Sequence, residues 1–442
     1  MSIDWKAIAE KLSPIETITE PRQLTKLSQD YYHFSPILTV QLQNKRGDML
    51  VRPDNEAQVL QVAQLCYQHK IPLTVRGAGT GNYGQCMPLE GGIILDMTKL
   101  NHIPWIKPGN ACVEPGVRMA AFDKEAKKIG WELRMAPSTY HTATIGGFIG
   151  GGSAGMGSIN YGQTRDRGNL QAVRVVTLEA EPKVITLQGD EVQKINHAYG
   201  TNGIITELQI PLAPALPWTE MTVLFDEFMV AAEFGQALSD SDGISKKLVS
   251  IHADPIPTYF QALKHYLQPG KHCALLMVCQ YDLAAVKALV EEYGGEISYE
   301  KTPEGTAKGL SLLEFTWNHT TLLARNLDPN LTYLQTFYFT LERVKHCYEH
   351  FGDEVMIHLE FLRFAGKAIP AGIQLVRFSS EKRLAEIIRY HEELGAGIAN
   401  PHTYILEDGG RKVVDLEQLQ FKQLVDPEGL MNPGKMKAWS HA

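Results

Sequence analysis

What this chain of 442 residues lacks removes whole classes of protein. No apolar run approaches the roughly 20 residues that a membrane-spanning helix needs, so no membrane span is expected. Positive charge is short. There are 42 lysines and arginines against 50 acidic residues, a net charge of -8, whereas a nucleic-acid partner asks for a basic face. The six cysteines, Cys66, Cys86, Cys112, Cys273, Cys279 and Cys347, contain no Cys-x-x-Cys pair. Iron–sulfur and structural zinc sites are therefore not expected, and no metal centre is assigned. Several of these cysteines fall inside apolar patterns and read as small buried hydrophobes. The first residues, Met1-Ser2-Ile3-Asp4-Trp5-Lys6, carry no apolar signal-peptide core, so a cytoplasmic protein is expected.

What is present is core-forming material and glycine. Hydrophobic residues make up 44% of the chain and charged ones 21%, enough for two or three domains. The glycines concentrate in Ala136–Gly157, where seven of the last twelve residues are glycine. Each glycine loses much backbone freedom on folding, and the usual return is left-handed backbone or close approach to a ligand. Ile145, Phe148, Ile149 and Met156 interrupt the run, which reads as packed rather than as a flexible linker. A second glycine loop, Gly77-Ala78-Gly79-Thr80-Gly81-Asn82-Tyr83-Gly84, follows the short strand Pro72–Arg76. Bare amides in such a loop can cradle a phosphate; an ordinary turn is the even alternative. It is not a Rossmann fingerprint, because Pro88 and Gly91-Gly92 follow instead of a helix. Before it, Asp54 or Asn55 can cap a helix whose buried face is Val59, Val62, Ala63 and Cys66. After it come strands at 93–97 and 111–114, a helix with Met119, Phe122, Ala126 and Ile129 buried, and strands at 172–178 and up to Ile210. Pro211, Pro214 and Pro217 then mark a boundary.

Six short pieces in series carry a resemblance: Arg52-Pro53, Arg76-Gly77-Ala78-Gly79-Thr80, Val113-Glu114-Pro115-Gly116, Thr144-Ile145-Gly146-Gly147, Gly203-Ile204-Ile205-Thr206-Glu207 and Asp426-Pro427-Glu428-Gly429-Leu430-Met431-Asn432-Pro433-Gly434-Lys435. In this order they resemble the FAD-binding domain of the vanillyl-alcohol oxidase / p-cresol methylhydroxylase (PCMH-type) flavoprotein superfamily. The resemblance implies an α+β fold: a PCMH-type two-subdomain FAD-binding domain plus a cap. It implies that Arg76, Gly77, Ala78, Gly79, Thr80 and Gly81, with Thr144, Gly146 and Gly147, hold the FAD pyrophosphate. It further places Ile204 and Ile205 beside the adenine and ribose, Pro137 and Ser138 near the flavin ring, and Asn432 at the FAD domain. Some relatives bind flavin covalently through a histidine where this chain has Thr80, so the FAD is expected to be non-covalent.

The second half reads as strands at 221–225, 248–252, 273–279 and 296–299 with helices between, a β-α-β-α-β-α-β order consistent with an α/β ferredoxin-like cap. The expected division is an N-terminal segment 1–44, the FAD domain 45–215, the cap 216–405 and a return segment 406–442. The metal-binding histidine and glutamate motifs of glycolate- and D-lactate-type relatives are not evident. Two cap segments cluster titratable and aromatic groups: Trp317–Thr321, and Asn400–Tyr404 with Glu407 and Arg411 beyond. A general base is most often histidine, which makes His402 the first candidate, with Tyr404 to orient the same oxygen, and His319 the second. His358 and Glu360 share one strand face, looking onto either the flavin or solvent. Arg325, Arg363 and Arg377 are candidates to hold a carboxylate. The expected activity is FAD-dependent hydride removal from a small alcohol or 2-hydroxy acid, with electrons passed to an acceptor that the sequence does not identify. The rival is a flavin-binding electron-transfer or partner-binding protein without substrate oxidation of its own.

Overall fold

The computed structural model describes residues 3–306, 310–409 and 413–441. Three sheets follow one another along the chain. The first contains β1 (Glu16–Ile18), β2 (Met49–Arg52), β3 (Leu73–Arg76) and β4 (Ile93–Asp96) in the order β1-β2-β4-β3. Strands β2, β4 and β3 are parallel, so a crossover must join β2 to β3. The helix Glu56–His69 makes it. Asn55 caps that helix, its side chain accepting from the Gln58 amide at 2.9 Å, and Val59, Val62, Ala63 and Cys66 are all fully buried beneath it.

The second sheet contains β5 (Trp105–Lys107), β6 (Asn110–Val113), β7 (Trp131–Leu133), β8 (Ala172–Val176), β9 (Val184–Gln188) and β10 (Ile204–Pro214). It is antiparallel, ordered β5-β6-β10-β8-β9, with β7 on the far end of β10. Ile129, expected in the buried face of the preceding helix, is 47% exposed, because that helix ends at Lys127 and Gly130 turns the chain at φ 79°. The glycine-rich stretch forms a short helix, Ile145–Gly151, which glycine disfavours by propensity. Burial of Ile145, Phe148 and Ile149 against the second sheet outweighs that preference. Gly146 is needed for packing: a Cβ there would press into Pro115, within 2.9 Å of its Cα.

The third sheet contains β11 (Trp218–Phe225), β12 (Lys246–His252), β13 (His272–Cys279), β14 (Glu296–Lys301), β15 (Leu331–Phe337), β16 (Val355–Met356), β17 (His358–Phe364), β18 (Lys367–Arg377) and β19 (Gly397–Ala399). Its order is β14-β11-β13-β12-β17-β18-β15-β19, antiparallel throughout, with β16 pairing beside β18. This is two βαββαβ units of ferredoxin-like order, β11–β14 and β15–β19, joined edge to edge. The seam is three residue pairs long: Ser250↔Glu360, Ile251↔Leu359 and His252↔His358. Four helices, 228–240, 283–292, 341–351 and 381–393, bury one face of the sheet in a single apolar cluster. The first unit differs from the order read in the sequence. Two 3-10 turns, Ile256–Tyr259 and Gln261–Leu263, stand where a second helix was expected, since Pro255 and Pro257 deny that segment the amides of a regular helix. The chain finally returns to the first sheet, where Leu73 donates its amide to Leu430 O at 2.8 Å and accepts from the Asn432 amide at 2.7 Å.

Candidate active site

A cavity of ≈ 940 Å³ opens between the first two sheets and the cap. That is at the upper end of the roughly 300–1,000 Å³ of ligand and cofactor sites. Residues 76–81, Pro137, Ser138, Thr144, Gly146, Gly147 and Ile205 line one side of it. Among the described residues, the amides of Ala78 to Asn82 donate to no protein acceptor, although they border the cavity. A row of unsatisfied N–H groups needs an anion or water, and a pyrophosphate meets that need. The Arg76 guanidinium fixes the loop from behind, donating to the carbonyls of Leu27, Gln29 and Ala78. Gly79 sits at φ 68°, and a Cβ there would collide with that guanidinium. Gly77 is pressed equally close to the Thr144 hydroxyl. These residues fit FAD. Gly79→Val is accordingly expected to raise the Kd for FAD roughly tenfold or more, since left-handed backbone alone costs a branched residue about 1–2 kcal/mol and the amides must shift as well. Fluorescence titration of apoprotein with FAD measures it; unchanged affinity would remove this loop from the cradle.

The cap wall is built on the helix Asn318–Leu327 and on β15, β17 and β18. His319 lines the cavity, and its Nδ1 lies 3.1 Å from Glu314 Oε2. That hydrogen bond holds the Glu314 carboxyl below the usual carboxylate range. It also leaves Nε2 as the ring nitrogen open to a ligand. The turn before the helix is strained: Trp317 has φ 51° and ψ -138°. Its amide donates to Glu360 Oε1 at 2.6 Å, and the same oxygen lies 2.9 Å from both Ser250 Oγ and His358 Nε2. Two buried polar atoms on this wall, Trp317 Nε1 and Asn318 Oδ1, have no partner among the described residues, as expected of a surface that waits for a ligand.

Several sequence-based assignments need correction. His402 is off the cavity wall. It is 5% exposed, with Nδ1 2.8 Å from Ser35 Oγ and Nε2 donating to Tyr333 O at 3.0 Å, so both nitrogens are engaged in joining the tail to the cap. Tyr404 packs with Leu42 and Met87 under the Lys435 ammonium, 4.9 Å from its ring centre, also away from the cavity. Ile204 is fully buried in β10, and only Ile205 reaches the wall. Asn432 does not line the cavity either. Its side chain donates to Gln85 O at 2.8 Å and Tyr199 O at 2.6 Å, fixing two residues that do. His358 and Glu360 face neither flavin nor solvent, being 0% and 1% exposed. None of the three candidate arginines lines the cavity, and Arg411 lies outside the described residues. The Glu314–His319 pair was missed as a pair, though five positions apart in the sequence.

Burial pushes the His402 imidazole down to about 4 from its ordinary 6.5. The folded state therefore keeps it neutral while the unfolded chain takes a proton below pH 6.5. Stability from this site is complete above pH 6.5 and is lost as pH falls toward 4, by about 3 kcal/mol in all. Thermal midpoints measured from pH 7 to 4 should fall, and less steeply in His402→Asn; parallel curves would refute this role.

Comparison with known proteins places the cradle in a family. Residues 47–187 match the model of the FAD binding domain. The chain is 25% identical to the glycolate oxidase subunit GlcD of Bacillus subtilis, over 88% of this chain and 89% of the relative. It is 30% identical to a D-lactate dehydrogenase of Anaerostipes hadrus over 48% of this chain; the match spans about half of that relative, 45%. An Escherichia coli D-2-hydroxyglutarate dehydrogenase is 37% identical, over 30% of this chain and 13% of the relative. Among solved structures, an alkyldihydroxyacetonephosphate synthase superposes with a TM-score of 0.73 at 15% identity, covering 98% of this chain and 86% of that one, a likeness of fold. Residues 47–187 are therefore an FAD binding domain of the PCMH type, in a chain similar over most of its length to an FAD-linked relative.

Proposed function

We propose that the protein is an FAD-linked oxidase or dehydrogenase acting on the CH–OH group of a small alcohol or 2-hydroxy acid. Bound FAD would accept the hydride; the chain's own residues do the rest. In this reading the domain 45–215 holds the cofactor, the cap 216–405 holds the substrate, and the segment 406–442 ties the two. The loop 76–81 and the Thr144–Gly147 turn bind the pyrophosphate, with Pro137 and Ser138 nearer the flavin. His319 takes the substrate hydroxyl proton at Nε2, and Glu314 stabilises the resulting imidazolium through Nδ1. The observation that carries the reading is this carboxylate-backed histidine on the wall opposite a row of unpartnered amides. The relatives named for glycolate, D-lactate and D-2-hydroxyglutarate support the CH–OH class. Six free cysteines, five of them buried, support a reducing compartment such as the cytoplasm. Among the described residues no helix is long and apolar enough to cross a membrane.

Anaerobic mixing of the FAD-loaded protein with alcohols and hydroxy acids tests the activity: bleaching of the flavin is expected with at least one donor, and a flavin that none of them reduces favours the electron-transfer alternative. The FAD is non-covalent in this reading because Thr80 offers no ring nitrogen. Acid precipitation should leave all the yellow colour in the supernatant, and colour in the pellet would contradict it.

A further inference from the structure

Among the described residues, the cap wall of the cavity carries no lysine or arginine. Its apolar part includes Leu322, Phe337, Phe339, Leu362, Phe364 and Ile373; its neutral polar side chains, besides Trp317 and His319, are Asn318, Gln335 and Thr336. The one formal charge on it is negative, Glu314. Of the arginines of this half, Arg325 is committed to the carbonyls of Leu331 and His33, Arg363 to Ile159 O and Asp242, Arg377 to Asp353 O and Asp328, and Arg383 to Glu354, while Arg343 donates to Tyr338 O with its guanidinium 5.9 Å from the centre of the Phe339 ring. The two arginines that line the cavity, Arg76 and Arg165, belong to the cofactor side, and both are bonded there, Arg165 to Asn196 O and Asp415. His319, when protonated, is already balanced by Glu314. Among the described residues, a carboxylate entering between cap and flavin would therefore shed water without meeting a lysine or arginine that is not already bonded, and His141, which also lines the cavity, shares Glu314 with His319. Apolar matter meets the opposite situation. Phe337 and Phe339 stack with centroids 6.4 Å apart, and Phe364 stands edge-on to Phe339 at 5.5 Å, which leaves a three-ring surface beside the neutral amides.

Resting on the CH–OH reading above, we propose that the donor is a neutral alcohol with an apolar body, not a 2-hydroxy acid. Its hydroxyl is taken at His319 and its body lies against Phe337, Phe339 and Phe364. This separates the chain from relatives named for small hydroxy acids.

The test uses the full chain loaded with FAD, without oxygen. In the first arm, D- and L-mandelate are compared with the matching enantiomers of phenylethylene glycol, which share ring and hydroxyl but replace the carboxylate by a neutral group. The glycol is expected to reduce the flavin with a kcat/KM roughly tenfold or more above that of either acid. In the second arm, the binding of benzamide and benzoate is read from the perturbed flavin spectrum, with no turnover, and benzamide is expected to bind roughly tenfold more tightly. In Gln335→Arg, which places a guanidinium on the wall, the preference for benzamide should narrow or reverse. Faster reduction by mandelate, tighter binding of benzoate, or binding of neither probe overturns the proposal. Benzamide preferred in binding, with no donor reducing the flavin, would refute the CH–OH reading and leave the wall's selection against carboxylates standing.

Discussion

His319→Ala is expected to slow reduction of the flavin by substrate on the order of 10²-fold or more, the ordinary worth of a positioned general base, while FAD content and thermal midpoint stay near those of the parent. His319 lies on the helix Asn318–Leu327 with 15% of its side chain exposed, so its removal leaves little cavity and no unpaired buried charge. Glu314 acts through the imidazole and touches no reacting atom in this scheme. Glu314→Gln keeps a hydrogen bond to Nδ1 but loses the charge that favours the imidazolium, and a smaller loss of rate, roughly tenfold, follows. Stopped-flow reduction at saturating donor separates the two variants. An unchanged rate in His319→Ala would remove this residue from the chemistry; a collapsed melting point would make it structural.

Glu360→Ala is expected to destabilise the cap by about 3–5 kcal/mol, the usual cost of leaving one partner of a buried ion pair alone. The protonation state follows from geometry. His358 Nδ1 lies 3.1 Å from Ile373 O, which only accepts, so Nδ1 carries a hydrogen. Nε2 faces the Glu360 carboxylate, so the pair holds one further proton between imidazole and carboxyl, buried from water. The stacked neighbour His252, 4.3 Å away, is driven well below its ordinary range by burial and by His358, and stays neutral. Removing the carboxylate strands the His358 proton and frees the Trp317 amide from its 2.6 Å bond. The strained turn at Trp317 then loses the hydrogen bond that fixes its amide, and His319, two residues on, is held less firmly. A lower melting point should therefore accompany slower flavin reduction even at temperatures where the variant is folded. Glu360→Gln, whose amide oxygen can stand where Oε1 does and still accept from Trp317 and from a hydrogen on His358 Nε2, should recover part of the rate. Equal loss in both variants would show that the turn does not depend on this hydrogen bond.

The parts of the molecule legible in the sequence are those whose cause is local. Asn55 and the Val59–Cys66 face specify a helix within fourteen residues, Glu56–His69, and the glycines at 77–81 follow directly on the strand that ends at Arg76. His402 was misread because its burial depends on Ser35, 367 positions away, and on Tyr333. Nothing in Asn400–Tyr404 distinguishes a histidine that joins two segments from one that faces a substrate. Glu360 is the same case: period-two alternation puts it opposite Arg363, but only the pairing of β12 with β17 brings Ser250 to it, and only the turn before Asn318–Leu327 brings Trp317. The cap's doubled architecture was also hidden, because packing asks of each unit only an apolar helix face and an alternating strand.

The two units of the cap are unequal partners. From residue 218 to 301 the first unit contributes no side chain to the cavity, whereas the wall draws on residues from Glu314 to Ala399. A mutational library meant to change which alcohol is accepted can therefore be confined to residues 314–399, the second unit and the segment that leads into it. The first is open to surface redesign, attachment of labels or fusion at the turns between its strands, with the Ser250–His252 seam the place where its strands pair with those of the second unit.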